Sequence, residues 1–141
     1  MFKILSRMVF LTVIIGVSAC AGIQHKTNDE RVFSLAEKRQ AALLKQDFDK
    51  AYAFMSPGYR EVNTIKQFMG DNQGVYSWIS SKVDKAECED DVCKVYVEIE
   101  FDARALMGGV GKPSSDTLIL SRVNRETWVK LDNKWWFSKS E

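Results

Sequence analysis

The chain has 141 residues, 11% of them aromatic, and 20 basic residues stand against 19 acidic ones. That near-neutral balance shows no basic stripe and no interleaving of basic with aromatic residues, so a nucleic-acid-binding role is excluded as a working hypothesis. A chain of this length supports one domain that buries roughly two-thirds of its unfolded surface, enough for a core without a metal or cofactor to hold it together.

The N-terminus reads as an export signal. Lys3 and Arg7 form a short basic start, and Met8 to Val17 is a ten-residue apolar run interrupted only by Thr12 and Gly16. A membrane-spanning helix needs roughly 20 apolar residues, so this run is too short to cross. A basic flank, a brief apolar centre and small residues at the end are the parts of a cleaved secretory signal. The end of the run, Val17-Ser18-Ala19-Cys20, resembles the lipobox of bacterial lipoproteins. That resemblance implies cleavage before Cys20, a diacylglyceryl group on its sulfur and acylation of the new amino terminus. By the same analogy Ala21, where an aspartate would favour the inner membrane, points to the outer membrane and its periplasmic face. The organisation expected is therefore a signal over 1–19, a lipidated tether over 20–27 and one domain over 28–141.

Cys20 being the lipid site, Cys88 and Cys93 remain as an even pair in an oxidising compartment, and a disulfide is expected. Zinc is not: no second cysteine pair exists, and His25, the one histidine, lies in the tether. No cofactor is expected.

From Asn28 a helical stripe begins, with Val32, Leu35, Ala36, Ala42 and Leu43 at three-four spacing and Arg39 inside it. Thr27-Asn28-Asp29-Glu30 supplies a capping box. Leu44, Phe48, Ala51, Tyr52 and Met55 continue the pattern in a second helix capped by Asp47 and ended by Ser56-Pro57-Gly58. A third helix follows a second capping box at Thr64-Ile65-Lys66-Gln67 and stops at Gly70.

Everything after about Tyr76 reads as strand. "YSWISSKVDKAEC" alternates poorly, which predicts a bulge or an edge. Cys93 to Asp102 alternates cleanly, apolar at odd positions, as a half-buried antiparallel strand does. The loop Glu89-Asp90-Asp91-Val92 sets Cys88 opposite Cys93. "MGGVGKPSSD" contains the Gly111-Lys112 pair of a phosphate loop, but Leu106 stands where the earlier glycine is required and Pro113 where the magnesium-binding hydroxyl is required. It is read as a strand connection. Thr117 to Leu131 is a long strand whose apolar parity shifts between Arg122 and Glu126, which predicts a bulge. Asp132-Asn133 then turns the chain into "KWWFSK".

Three helices followed by a hairpin-rich sheet of about four strands is an α+β arrangement. "ALLKQDFDKAYAFMSPGYREVNTIKQF" followed by "WVKLDNKWWF" resembles the nuclear transport factor 2-like superfamily, the cystatin-like α+β cone. The resemblance implies a curved antiparallel sheet wrapped over the helices, a cone-shaped pocket, and dimers formed through the sheet's outer face. Enzymes of that superfamily place an aspartate or histidine with tyrosines deep in the cone.

Three uses of such a fold follow. A proton-transfer enzyme would join Asp71 to Tyr52 or Tyr59, although nothing in their spacing requires it, and no catalytic residue is assigned. A small-molecule pocket would be lined by Tyr52, Phe54, Phe68, Trp78 and Phe101, which core packing explains equally well. A non-catalytic binding or assembly module would present Trp128, Trp135 and Phe137 as an apolar patch on the outer side of the sheet, for a second copy or an envelope partner. The last of these is the reading preferred. Intact mass spectrometry of protein extracted from cells is expected to find residues 1–19 removed and Cys20 carrying acyl chains, and Cys20→Ala should abolish the added mass.

Overall fold

The computed structural model describes residues 26–106 and 118–140. Residues 1–25, which hold the expected signal, Cys20 and His25, and the segment 107–117 with Gly111, Lys112 and Pro113 lie outside the described residues. Four helices precede the sheet rather than three. They are α1 (Asn28–Leu44), α2 (Phe48–Tyr52), α3 (Pro57–Val62) and α4 (Ile65–Asp71), followed by a 3₁₀ turn, Gln73–Ser77. Strands β1 (Trp78–Glu89), β2 (Val92–Asp102), β3 (Ile119–Leu131) and β4 (Lys134–Ser140) form one antiparallel sheet in sequence order. A one-turn helix α5 (Ala103–Leu106) leaves the end of β2.

The caps fall where the sequence places them. Thr27 and Glu30 close a capping box on α1, Asp47 caps α2, and Thr64 with Gln67 closes a second box on α4. The extra helix arises because Ser56-Pro57-Gly58 starts an element as well as ending one. The Ser56 hydroxyl accepts from the Tyr59 amide, and Pro57 occupies the first helical position, where a missing N–H costs nothing. Gly70 does not stop α4, which runs on to Asp71, with Asn72 as its C-cap.

In the sheet, Cys93, Val95, Val97 and Ile99 of β2 are fully buried on the helix-facing side. Strand β1 is an edge and also carries two register shifts, at Trp78/Ser80 and Val83/Lys85. β3 departs from expectation. Its pairing with β2 is continuous from Val92↔Val129 to Asp102↔Ile119, with no bulge between Arg122 and Glu126. Arg122, Asn124, Glu126 and Trp128 therefore all face the helices, paired with Ile99, Val97, Val95 and Cys93. The irregularity lies instead in the β3–β4 ladder, between Thr127 and Trp128. Asp132 and Asn133 take φ of 50° and 61° in the turn, the left-handed pair that a two-residue hairpin needs.

The outer edge of β4 is partly closed. The Phe137 amide donates to the Phe54 carbonyl at 2.8 Å and the Ser56 amide to the Phe137 carbonyl at 3.2 Å, so the α2–α3 link lies beside the strand as a short parallel bridge. Unpaired edge groups invite association with other chains, and this link removes part of that edge.

Cys88 and Cys93 are register partners on β1 and β2 and form a disulfide. The Cys88 amide also donates to Asp29 Oδ1 at 3.0 Å, tying the β1–β2 hairpin to the first turn of α1. A ring this small restricts the unfolded chain by about 2 kcal/mol. Urea unfolding of the Cys88→Ala/Cys93→Ala double variant is accordingly expected to show a loss of about 2 kcal/mol with the far-ultraviolet circular dichroism unchanged.

Candidate functional site

The site is built by α1 and β3. Arg39 and Gln40 sit on the buried side of α1, and Glu126 faces them from the middle of β3. Arg39 Nη1 donates to Glu126 Oε1 at 2.6 Å and Gln40 Nε2 to the same oxygen at 2.7 Å. The Trp128 indole N–H donates to Glu126 Oε2 at 3.1 Å. The Gln40 carbonyl oxygen accepts from the Ser81 hydroxyl at 2.8 Å, which carries the network onto β1. Both charged side chains are almost wholly shielded, at 4% and 2% exposure.

Removing two charges from water costs several kcal/mol each, and attraction between them offsets that only when the remaining polar atoms are satisfied. Here the carboxylate receives three donors. The guanidinium is less complete: its Nε has no partner, while its plane lies over the Phe137 ring with Cζ 3.6 Å from the centroid. Burial pushes Arg39 below the ordinary arginine range, opposed by the charge and hydrogen bond of Glu126.

Beside this pair lies a cavity of about 200 Å³ lined by Arg39, Asp71, Trp78, Arg122, Asn124 and Glu126 among others. It is smaller than the roughly 300–1,000 Å³ of common ligand pockets and has polar walls. The inward parity of Arg122, Asn124 and Glu126 on β3 is the reason. The same three side chains that break the apolar alternation of that strand make the wall.

Of the residues expected to line a pocket, only Trp78 does so here. Phe68 is buried among Phe48 and Tyr52, with ring centroids at 6.5 and 5.5 Å. Phe54 packs edge-on to Trp128 at 6.1 Å, and Phe101 lies under the Arg122 guanidinium at 5.6 Å. The Tyr52 hydroxyl donates to the Asn63 carbonyl. Asp71 reaches the cavity, but neither Tyr52 nor Tyr59 lines it. The Tyr59 phenol is raised by burial and then by the charge of Asp71 and by Tyr52.

The expected outer patch is overturned. Trp128, Trp135 and Phe137 are 0%, 8% and 5% exposed and face the helices. Trp128 and Phe137 are paired as the register required, but that side is the one α1 and α2 cover. Trp136, on the opposite parity, is the half-buried one.

Neither a family model nor a curated protein sequence matches the chain. Solved structures do. A SEC-C motif containing protein from Rhodopseudomonas palustris superposes with a TM-score of 0.54 at 17% identity, over 77% of this chain and 75% of the other. A sec-c motif containing protein from Psychrobacter arcticus gives 0.56 at 14% identity, over 82% and 63%. A nuclear transport factor 2-like protein of unknown function from Shewanella oneidensis gives 0.50 at 11% identity, over 77% and 93%.

The fold is nuclear transport factor 2-like. At these identities the likeness concerns the fold alone, so the chemistry of this domain rests on its own residues. Arg39 and Glu126 are the pair that sequence reasoning did not assign. The signals were a cation inside the apolar stripe of α1 and a glutamate at an inward position of β3.

Removing one member of a buried ion pair leaves the other charged and unpartnered. Arg39→Met is expected to destabilise the domain by about 3–5 kcal/mol. Arg39→Met/Glu126→Gln, which removes both charges and keeps an acceptor for one of Gln40 and Trp128, should recover roughly half of that in chemical denaturation.

Proposed function

We propose that this chain is an envelope lipoprotein, anchored through Cys20 at the periplasmic face of the outer membrane, whose nuclear transport factor 2-like domain binds or assembles rather than catalyses. The observation that carries the reading is the state of Glu126. A general base has to be free to take a proton from its substrate. This carboxylate, buried beside the cavity, is already held by Arg39, Gln40 and Trp128. The exposed Asp71 supplies charge at the cavity and acts on the Tyr59 phenol, but neither Tyr59 nor Tyr52 lines that cavity.

With the three aromatic residues of the former patch inside the core, the contact surface moves to the other side of the sheet. On β3 that outer face carries Ile119 and Val123, at 54% and 64% exposure. Apolar groups exposed on one strand face, here on either side of Ser121, fit a second copy of the same chain better than they fit solvent. The cavity supports a second reading, binding of a small polar ligand, because Asp71, Arg122 and Asn124 offer both charges and an amide at its wall.

Sedimentation of the lipidated protein in detergent, beside Ile119→Lys/Val123→Lys, tests assembly. The native chain is expected to sediment as a dimer and the variant as a monomer. A native protein that stays monomeric up to about 100 μM would end the assembly reading and leave the cavity as the place to look for binding.

A further inference from the structure

The linear sequence shows no basic stripe, yet folding builds one. Arg31 and Lys38 of α1 and Lys45 at its C-cap are spaced seven apart, so they fall within about 40° of one another around the helix and form a line of roughly 21 Å along it. All three are exposed. Lys26 precedes the helix and Lys134 opens β4, and together with Arg31, Lys38, Trp135 and Trp136 they line a groove of about 460 Å³ between α1 and β4. No carboxylate lines that groove. Several other cations of the chain are partnered: Lys50 with Asp47, Lys85 with Glu87, Lys130 with Asp91. Lys26, Arg31, Lys38 and Lys134 form no ion pair among the described residues. Of the α1 carboxylates, Glu30 is bonded to the Thr27 amide and Asp29 to the Cys88 amide, and with Glu37 they line a neighbouring hollow that Lys26 shares rather than the basic groove itself. Further acids gather at the β1–β2 hairpin, at Glu87, Glu89, Asp90 and Asp91, which the Cys88–Asp29 bond ties to the first turn of α1 and which therefore borders this face without lining the groove.

We propose that the face formed by α1 and the start of β4 docks on an anionic lipid bilayer, with Lys26, Arg31, Lys38, Lys45 and Lys134 against the headgroups and Trp136 at the interface. The proposal rests on the reading of Cys20 as the anchor. Cys20 lies six residues before Lys26, and six extended residues span about 20 Å. Electrostatic attraction to a charged surface fades within a Debye length, about 8 Å at physiological salt. A tether of that reach brings the domain to the headgroups without fixing which side faces them. The side that gains is the one whose unpaired cations enter the Debye layer, and this is also the side on which the tether ends. Tryptophan is enriched at bilayer interfaces, where its ring is half in an apolar environment and its N–H is hydrated. The half-buried Trp136 at the rim of the basic groove suits that position.

The test reconstitutes the full lipidated protein with vesicles of phosphatidylcholine alone or with about one-third phosphatidylglycerol. Flotation is measured together with the rate at which an amine-reactive probe labels Lys38 and Lys134, against Lys66 and Lys82 as exposed references on other faces. Flotation with both vesicles, and labelling of Lys38 and Lys134 slowed about tenfold on the anionic ones only, is the expected result. That protection should vanish at 1 M salt. Arg31→Gln/Lys134→Gln should weaken docking about thirtyfold, at roughly fivefold per cation, and restore labelling of Lys38. Flotation with both vesicles but no protection overturns the docking surface and leaves the anchor standing. Flotation on anionic vesicles alone, with protection, removes the anchor and leaves the docking surface. Flotation on neither removes both. Protection already present in detergent would mean that a protein, such as a second copy, covers this face, and would overturn the proposal.

Discussion

One buried ion pair couples the helical layer to the sheet. Arg39 of α1 and Glu126 of β3 meet where an otherwise apolar helix face crosses the centre of the sheet, and neither has access to bulk water. An arrangement of that kind constrains more than it stabilises. The charges are tolerable only when Gln40, Trp128 and Ser81 are in place as well, so one helix position is tied to three points on two strands. A one-residue slip of β3 would turn Glu126 to the solvent face and strand the guanidinium. Helix position and strand register are thereby fixed together.

The parts legible in the sequence are those governed by local rules. Capping boxes at Thr27 and Thr64, the alternation of β2, the Asp132-Asn133 turn and the Cys88–Cys93 pairing all depend on neighbours within a few residues, and each lies where the residues placed it. What was not legible depends on contacts between distant segments. The alternation rule assumes a dry core, so inward polar residues at Arg122, Asn124 and Glu126 look like a break in the strand. Only the opposing Arg39, nearly ninety residues earlier, shows that they continue the face. The tryptophans of the last hairpin illustrate the same limit. Their register follows from the turn, but which side of the sheet receives the helices is decided by α1 and α2, and the sequence around Trp128 and Phe137 does not record it.

The likeness to solved structures at 11–17% identity fits this division. A pattern of caps, alternation and turns can persist while nearly every side chain changes, because many apolar residues satisfy each position. The cavity wall has no such freedom. Its character comes from individual polar residues on one strand, of which Arg122 and Asn124 can be exchanged without touching the Arg39–Glu126 pair that holds the frame. Fold and site are therefore read at different levels of the same chain, and a shared frame says little about what the wall recognises.

The two faces of the molecule are managed differently, and the contrast bears on how it sits among its neighbours. Strand β1 is an open edge, but its two register shifts interrupt the regular ladder that another chain would need to extend, and the disulfide pins its far end. β4 is an open edge for only part of its length, because Phe54 and Ser56 bond to Phe137 from the side. Growth by strand addition is thus disfavoured at both ends of the sheet. Contacts with other molecules are left to faces: the outer side of β3, where exposure is apolar, and the line of α1, where exposure is cationic. These surfaces differ in chemistry, so a membrane on one does not compete with a protein on the other. On the proposed anchoring through Cys20, a domain tethered at the start of α1 holds both at once.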